Sequence, residues 1–223
     1  MTVATFVLIH GGGDVGWYWH LVERELRQRG HDTLAPDLPC EDDSAGLVEY
    51  ADTVIKAIGG RRRLVLAAQS FGGFTAPLVA ARVPVEMLVL VAGMIPAPGE
   101  KPDDWPANTG FDDVMREQAR RYAGQDLIYH DVPPALAVPA RRNARDQSDT
   151  PGHAPWPLDA WPPVPTRFVL CTEDRFFPPG FMRQVVADRL GVVPDEIAAG
   201  HAVALSRPKE LADLLVSCSA TAG

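Results

Sequence analysis

The chain has 223 residues, of which 46% are hydrophobic and 22% are charged, and it is long enough for one α/β domain with a large buried core. Its net charge of −8 at pH 7 argues against nucleic acid or an anionic membrane as the main partner. The three cysteines lack the spacing of a disulfide framework or a zinc site, which suits a reducing cytosol. No apolar stretch could span a bilayer, and no signal-peptide pattern is present, so we expect a soluble, cytoplasmic protein.

Short apolar runs alternate with amphipathic stretches along most of the chain. Such alternation predicts a sheet of about six strands, mainly parallel, with helices on both faces. Strands are predicted over residues 3–9, 31–35, 63–68, 85–91, 166–172 and 193–198, and helices over residues 17–29, 47–58, 71–82, 181–190 and 208–217.

The glycine-rich loop after the first predicted strand has two interpretations. Gly11, Gly13 and Gly16 form a G-x-G-x-x-G pattern, and Asp37 follows at the distance of a ribose-binding acid, as in a dinucleotide fold. The same loop reads His-Gly-Gly-Gly, which supplies an oxyanion donor in some acyl-transfer enzymes. In that interpretation the donor is the N–H group of Gly12, with Gly13 as the alternative.

The turn after the third predicted strand carries a serine between small residues. Ala68 lies two residues before Ser70, and Gly72 lies two residues after it. A nucleophile elbow needs small residues there, because the serine backbone is strained and its hydroxyl stands above the sheet. The N–H group of Phe71 would then be the other oxyanion donor. An ordinary helix N-cap is the alternative explanation for Ser70.

A proline-rich segment over residues 95–165 interrupts the alternation of strands and helices. An insertion between two strands of such a sheet typically forms a lid over its carboxyl edge. We therefore predict a core made of residues 1–94 and 166–223, with a lid inserted over residues 95–165.

An acid and a histidine follow the last two predicted strands. Asp174 comes just after a strand, and His201 lies on a loop before the last helix. The order Ser70, Asp174, His201 is that of an α/β-hydrolase triad, in which the imidazole takes the serine proton and the acid orients the imidazole. Glu173 is the alternative acid.

The triad decides between the two interpretations of the glycine loop. Nucleotide binding would leave the serine, the acid and the histidine without a role. No tyrosine is followed four residues later by a lysine, as it would be in a short-chain dehydrogenase. We therefore favour the oxyanion interpretation.

The chain resembles the α/β-hydrolase superfamily and, within it, the branch of plant-type methyl esterases and hydroxynitrile lyases. The matching residues are His10–Gly11, Gly16, Trp17, Trp19, Gly30–His31, Pro36–Pro39 and, in the lid, Tyr129–Pro134. The elbow departs from the usual pattern, since Ala68 replaces its first glycine and Gln69 its usual histidine. The resemblance implies an α/β-hydrolase fold and a Ser-His-Asp esterase that acts on small esters without a cofactor. Trp17 and Trp19 are expected to line the substrate pocket, with plain packing in the core as the alternative for each.

Three functions fit these residues. The main hypothesis is a serine hydrolase of small carboxylic esters, with no cofactor or metal and no nucleic-acid or membrane partner. The others are a non-catalytic small-molecule binding protein or receptor on a hydrolase fold, and a lyase or cofactor-free enzyme on the same scaffold. We favour an esterase over a hydroxynitrile lyase. The resemblance implies that lyases carry lysine where this chain has Ala202, and tend to have threonine in place of Gly11.

Overall fold

A computed structural model describes residues 3–220 of the chain. Six strands form one sheet in the order β2-β1-β3-β4-β5-β6, and every neighbouring pair is parallel. The strands are β1 (Thr5–Ile9), β2 (Asp32–Leu34), β3 (Leu64–Gln69), β4 (Val85–Val91), β5 (Thr166–Cys171) and β6 (Asp195–Ile197). The predicted six-stranded parallel sheet is therefore confirmed.

Helices connect the strands and cover the sheet. They are α1 (His20–Gln28), α2 (Leu47–Ile58), α3 (Gly72–Ala80), α4 (Trp105–Thr109), α5 (Phe111–Arg121), α6 (Pro134–Asn143), α7 (Thr150–His153), α8 (Pro179–Leu190), α9 (Val203–Ser206) and α10 (Pro208–Ala220). A short 3-10 helix over Gly16–Trp19 precedes α1, so the helix predicted from residue 17 begins in a tighter turn than expected.

The core consists of two hydrophobic layers, one on each face of the sheet. On β1, Val7 and Ile9 belong to the layer that packs against α2, α3 and α8, whereas Phe6 and Leu8 belong to the layer under α1, α9 and α10. This alternation is the two-residue period of a strand. Every residue of β1 and β3 is buried, which explains why these strands appear in the sequence as unbroken apolar runs.

The segment 95–165 lies between β4 and β5 and contains four short helices, α4 to α7. A lid is predicted here from the sequence, with no helix assigned to it. Three of these helices have a proline in the first turn, where its missing N–H group costs no helical hydrogen bond. Trp156 attaches the segment to α3, since its indole N–H donates to the carbonyl of Phe74 at 3.1 Å. Within the segment, the indole N–H of the buried Trp105 donates to the carbonyl of Ile95 at 3.0 Å.

Two further observations concern the chain as a whole. Within residues 3–220, no helix combines the length and the apolar character that crossing a membrane requires. The three cysteines, Cys40, Cys171 and Cys218, are buried and form no disulfide in that part of the chain.

Candidate active site

The residues predicted to carry chemistry follow four different strands. The glycine loop follows β1, Ser70 follows β3, Asp174 follows β5 and His201 follows β6. Parallel strands end at the same edge of a sheet, and ligands bind there in open α/β sheets. The topology therefore gathers these four loops at one edge.

Ser70 occupies a sharp turn between β3 and α3. Its φ angle is +49°, in the left-handed region that residues other than glycine seldom adopt. The following helix packs so closely that a Cβ atom on Gly72 would lie 2.7 Å from the carbonyl oxygen of His10. Ala68 is completely buried. This geometry is that of a strained strand–turn–helix elbow and explains the small residues on either side of the serine.

Asp174 and His201 form a buried, hydrogen-bonded pair. The distance between Oδ2 of Asp174 and Nδ1 of His201 is 2.8 Å, and both side chains are almost inaccessible to solvent. The other carboxylate oxygen accepts the backbone N–H groups of Phe176 and Phe177 at 2.8 and 2.9 Å. The carboxylate is thus held in place and selects the imidazole tautomer with a proton on Nδ1. Glu173, the alternative acid, is exposed.

Nε2 of His201 faces a group that was not predicted. The side-chain Nε2 of Gln69 lies 3.0 Å from it, so the amide donates to the lone pair of the neutral imidazole. Among the described residues, no hydrogen bond joins the hydroxyl of Ser70 to His201. The sequence signal for Gln69 is that it replaces the usual histidine of the elbow.

Gln69 also explains the absence of a side chain at the first position of the glycine loop. A Cβ atom on Gly11 would overlap Oε1 of Gln69. Gly16 has a similar reason, because its Cβ atom would overlap the carbonyl oxygen of Ala35, and its N–H group donates to Oδ1 of Asp37 at 2.7 Å. These two glycines and Asp37 therefore serve the packing of the loop.

The backbone N–H groups of Gly12, Gly13 and Phe71 were considered above as oxyanion donors. Gly13 donates its N–H group to Oε1 of Gln147 at 2.9 Å. Within residues 3–220, the N–H groups of Gly12 and Phe71 have no protein acceptor at hydrogen-bond distance. Of the two glycines considered as donors, Gly12 is therefore the one whose N–H group is available.

His10 stabilises the loop from inside. Its Nε2 accepts the N–H group of Leu38 at 3.0 Å, and its Nδ1 donates to the carbonyl of Gly11 at 2.8 Å. Burial lowers the pKa of His10 to about 4, so the imidazole is neutral at pH 7. A neutral ring with both nitrogens occupied has a structural role.

A cavity of about 340 Å³ opens beside Ser70 and His201. Its wall is rich in aromatic side chains, which are Tyr18, Phe71, Phe111, Tyr129, Phe176 and Phe177. The rings of Phe176 and Phe177 contact the imidazole of His201 edge-on, with centroid distances of 4.9 and 5.2 Å.

The two tryptophans expected in the pocket lie elsewhere. Trp17 stacks on His20 at a centroid distance of 4.2 Å, and Trp19 is completely buried in the layer under α1. Tyr18 lines the cavity instead. The reason is the 3-10 helix over Gly16–Trp19, which points successive side chains in different directions.

Two neighbouring residues of the segment 95–165 contact the acid and histidine loops, and we call His130 and Asp131 the clasp. Nε2 of His130 donates to the carbonyl of Glu173 at 3.1 Å, next to Asp174. Oδ2 of Asp131 accepts the N–H group of Gly200 at 2.7 Å, next to His201. The clasp thus connects the segment to the residues that flank the buried acid–histidine pair.

The described residues contain no group of three or more His, Cys, Asp and Glu side chains placed to hold a metal ion. The arrangement instead combines a hydroxyl on a strained turn, an oriented imidazole and two unoccupied N–H donors around an apolar cavity. These are the parts needed for nucleophilic acyl transfer.

Comparisons with known proteins agree with this geometry. A family model described as "Alpha/beta hydrolase family" matches residues 6–214. The chain is 28% identical to "Probable esterase PIR7A" of Oryza sativa subsp. indica, over 96% of each chain. It is 24% identical to "Norfluorocurarine synthase 1" of Strychnos sp, over 94% of this chain and 93% of that one. The solved structure of polyneuridine aldehyde esterase has a TM-score of 0.82 at 21% identity and covers 98% of this chain and 100% of that one.

Proposed function

The chain belongs to the alpha/beta hydrolase family, and from this premise we propose that it hydrolyses small carboxylic esters through an acyl-enzyme formed on Ser70. The esterase name of the rice relative supports the ester as the bond that is cleaved. The observation that carries the proposal is the buried hydrogen bond between Asp174 and His201, because it places the ring proton on Nδ1 and the lone pair on Nε2, and His201 and Ser70 line the same cavity.

The first half of the proposed reaction acylates the serine. Oγ of Ser70 attacks the ester carbonyl carbon while its proton moves to Nε2 of His201, and Asp174 stabilises the imidazolium that results. The N–H groups of Gly12 and Phe71 bind the oxyanion of the tetrahedral intermediate. The bond to the alcohol oxygen then breaks, and that oxygen takes the proton from Nε2 as the alcohol leaves.

The second half regenerates the enzyme with water. His201 accepts a proton from a water molecule as the water oxygen attacks the acyl carbon, and the same two N–H groups bind the second oxyanion. When the bond to Oγ of Ser70 breaks, Oγ takes the proton back and the carboxylic acid is released. No cofactor enters either half. The side chain of Gln69 has to turn away from Nε2 of His201 before the first proton transfer. The amide of Gln69 and the hydroxyl of Ser70 would otherwise compete for the same lone pair on that nitrogen.

The segment 95–165 is the proposed lid of this site. Its residues Pro106, Phe111, Ile128, Tyr129 and Ala144 line the cavity. Side chains from an insertion that cover the nucleophile exclude water from the acyl transfer and shape the substrate pocket.

The test is hydrolysis of a panel of p-nitrophenyl and methyl esters with acyl groups of increasing length. We expect turnover of short esters by the wild type and labelling by a fluorophosphonate probe. Both should be lost in Ser70→Ala and kept in the matched control Ser44→Ala, whose serine is exposed and does not line the cavity. Probe labelling that persists in a folded Ser70→Ala variant would place the nucleophile at another residue.

A further inference from the structure

The cavity beside Ser70 contains one acidic side chain that the proposed reaction does not use. Asp14 follows the oxyanion loop and lines the cavity, and the residues that line it include neither lysine nor arginine. Oδ1 of Asp14 accepts the N–H group of Val15 at 2.8 Å. In the described part of the chain, no basic side chain lies within ion-pair distance of this carboxyl group.

Two other carboxyl groups near the site have the charged or multiple partners that Asp14 lacks. Asp37 accepts the N–H group of Gly16 at 2.7 Å and pairs with Arg145 at 3.0 Å. Asp174 is held by two N–H groups and by His201. Asp14 is partly buried without such a partner, and a carboxylate removed from water in this way is unfavourable. Burial, followed by the negative charge of Asp37, raises its pKa to about 6.

Aromatic side chains line the same cavity as this carboxyl group. Burial and the charge of Asp14 raise the pKa of Tyr129 to about 12, and the pKa of Tyr18 is raised by the same two causes. Both tyrosines line the cavity, so the carboxyl group acts across it. The guanidinium of Arg141 lies over the ring of Tyr129, 4.9 Å from its centroid, so this ring already binds a cation on one face. A carboxylate and aromatic rings in one cavity attract an ammonium group, since ring faces bind cations and the carboxylate supplies the opposite charge.

We propose that Asp14, with Tyr18 and Tyr129, forms a subsite for an ammonium group, so that the preferred substrates are small esters that carry a positive charge. This inference rests on the proposed function, because the subsite lies in the same cavity as Ser70 and His201. The bound ammonium group supplies the cation that Asp14 lacks in the protein alone. The net charge of −8 also favours the approach of cationic substrates.

The test compares two acetate esters of the same shape. Acetylcholine carries a quaternary nitrogen where 3,3-dimethylbutyl acetate carries a neutral carbon atom. We expect the wild type to have a kcat/KM about tenfold higher for the cationic ester, as a partly desolvated cation subsite would give. The ratio should fall to about one in Asp14→Asn. The matched control Asp112→Asn, at an exposed residue of α5 that does not line the cavity, should keep the ratio of the wild type.

A binding measurement separates this inference from the proposed function. Choline is titrated by calorimetry into Ser70→Ala and into the double variant Ser70→Ala/Asp14→Asn. Saturable binding that weakens about tenfold in the double variant supports the subsite, even if no ester is turned over. Any of three results would overturn the subsite. The first is a ratio of kcat/KM for the two esters near one in the wild type, and the second is a ratio that does not fall in Asp14→Asn. The third is choline binding that is undetectable or that does not depend on Asp14. Ester hydrolysis that requires Ser70 would stand in each of those cases.

Discussion

The side-chain amide of Gln69 lies 3.0 Å from Nε2 of His201, on the ring nitrogen that the hydroxyl of Ser70 needs. Gln69 is buried, and its side-chain oxygen lies close to Gly11. The imidazole therefore rests in a hydrogen bond that competes with the first proton transfer of the proposed reaction. Apo structures commonly show catalytic hydrogen bonds that form only when substrate binds.

Replacement of Gln69 by leucine should speed the attack by Ser70. Leucine keeps most of the volume but donates no hydrogen bond to Nε2, and a net hydrogen bond is worth about 1 kcal/mol, or a factor of about five. We expect the rate constant of fluorophosphonate inactivation to rise by up to about fivefold, with Gln184→Leu, on the exposed face of α8, as the control. A slower inactivation would mean that Gln69 orients the ring productively.

The two neighbouring acids should differ sharply in their effect on turnover. Asp174→Asn removes the acceptor that holds Nδ1–H of His201 and favours the wrong tautomer, so kcat should fall by roughly 10³- to 10⁴-fold. The side chain of Glu173 is exposed, and the hydrogen bonds of this residue to Ala199 and His130 are made by its backbone, so Glu173→Gln should change kcat less than about twofold. Steady-state kinetics on one ester decide the matter, and a reversed order would assign the acid to Glu173.

Asp131 of the clasp should act on kcat through the backbone of Gly200. Asparagine retains an oxygen that can accept the N–H group of Gly200. Leucine leaves that N–H group unpaired, and the free energy of one unpaired group corresponds to about a tenfold change in rate. We expect Asp131→Leu to lower kcat about tenfold with little change in KM. Asp131→Asn should recover most of the rate.

A separate control shows whether this effect is local. Asp113→Leu, on the exposed surface of α5, should leave the kinetics unaltered, and the melting temperature of each variant is measured beside its activity. If the kcat of Asp131→Leu equals that of the wild type, the clasp does not position His201.

Ester hydrolysis, and not cyanohydrin cleavage, should be the activity measured. Departing cyanide needs a nearby cation, but the residue after His201 is the buried Ala202, and the cavity has no lysine or arginine among its lining residues. A threonine at Gly11 would require the side chain of Gln69 to move. We expect mandelonitrile turnover at least about a hundredfold below ester turnover, as two missing interactions would give. Comparable rates, both lost in Ser70→Ala, would contradict the esterase assignment.

Asp14→Asn should stabilise the protein at neutral pH. The pKa of Asp14 is about 6 in the folded protein and 3.8 ordinarily, so the folded state binds more protons between these values, and stability falls as pH rises through that range. This difference in pKa corresponds to about 3 kcal/mol of the free energy of unfolding, and the partial exposure of Asp14 reduces the expected effect to about 2 kcal/mol. We expect Asp14→Asn to unfold at higher denaturant concentration than the wild type at pH 7.5. The difference between the unfolding midpoints of the two proteins should disappear near pH 4. An equal difference at both pH values would exclude a buried carboxylate as its cause.

The fold follows closely from local sequence patterns, because its strands are buried on both faces. The bounds of α2 and β4 agree with the prediction to the residue. The helices of segment 95–165 were missed because their prolines look like helix breakers, whereas several lie in first turns, where proline fits. Patterns of polarity therefore predict the sheet well and the insertion poorly.

The contacts that complete the site lie beyond local patterns. Gln69 and His201 are 132 residues apart, and Asp131 and Gly200 are 69 residues apart, so only the packed fold brings them together. Trp17 and Trp19 were expected in the cavity from a resemblance, but the turn preceding α1 directs Tyr18 there. The sequence gives the chemical identity of a residue, whereas the direction in which its side chain points depends on the local backbone conformation.

The backbone of Ser70 has a consequence for anyone who selects this protein for heat resistance. Its φ angle of +49° is unfavourable for an L-amino acid by about 1 kcal/mol or more, and glycine adopts such an angle freely. Substitution by glycine at this turn would relieve the strain and remove the hydroxyl in one mutation. Directed evolution for thermal tolerance alone will therefore tend to select an inert protein, and each round needs an activity screen beside the heat challenge.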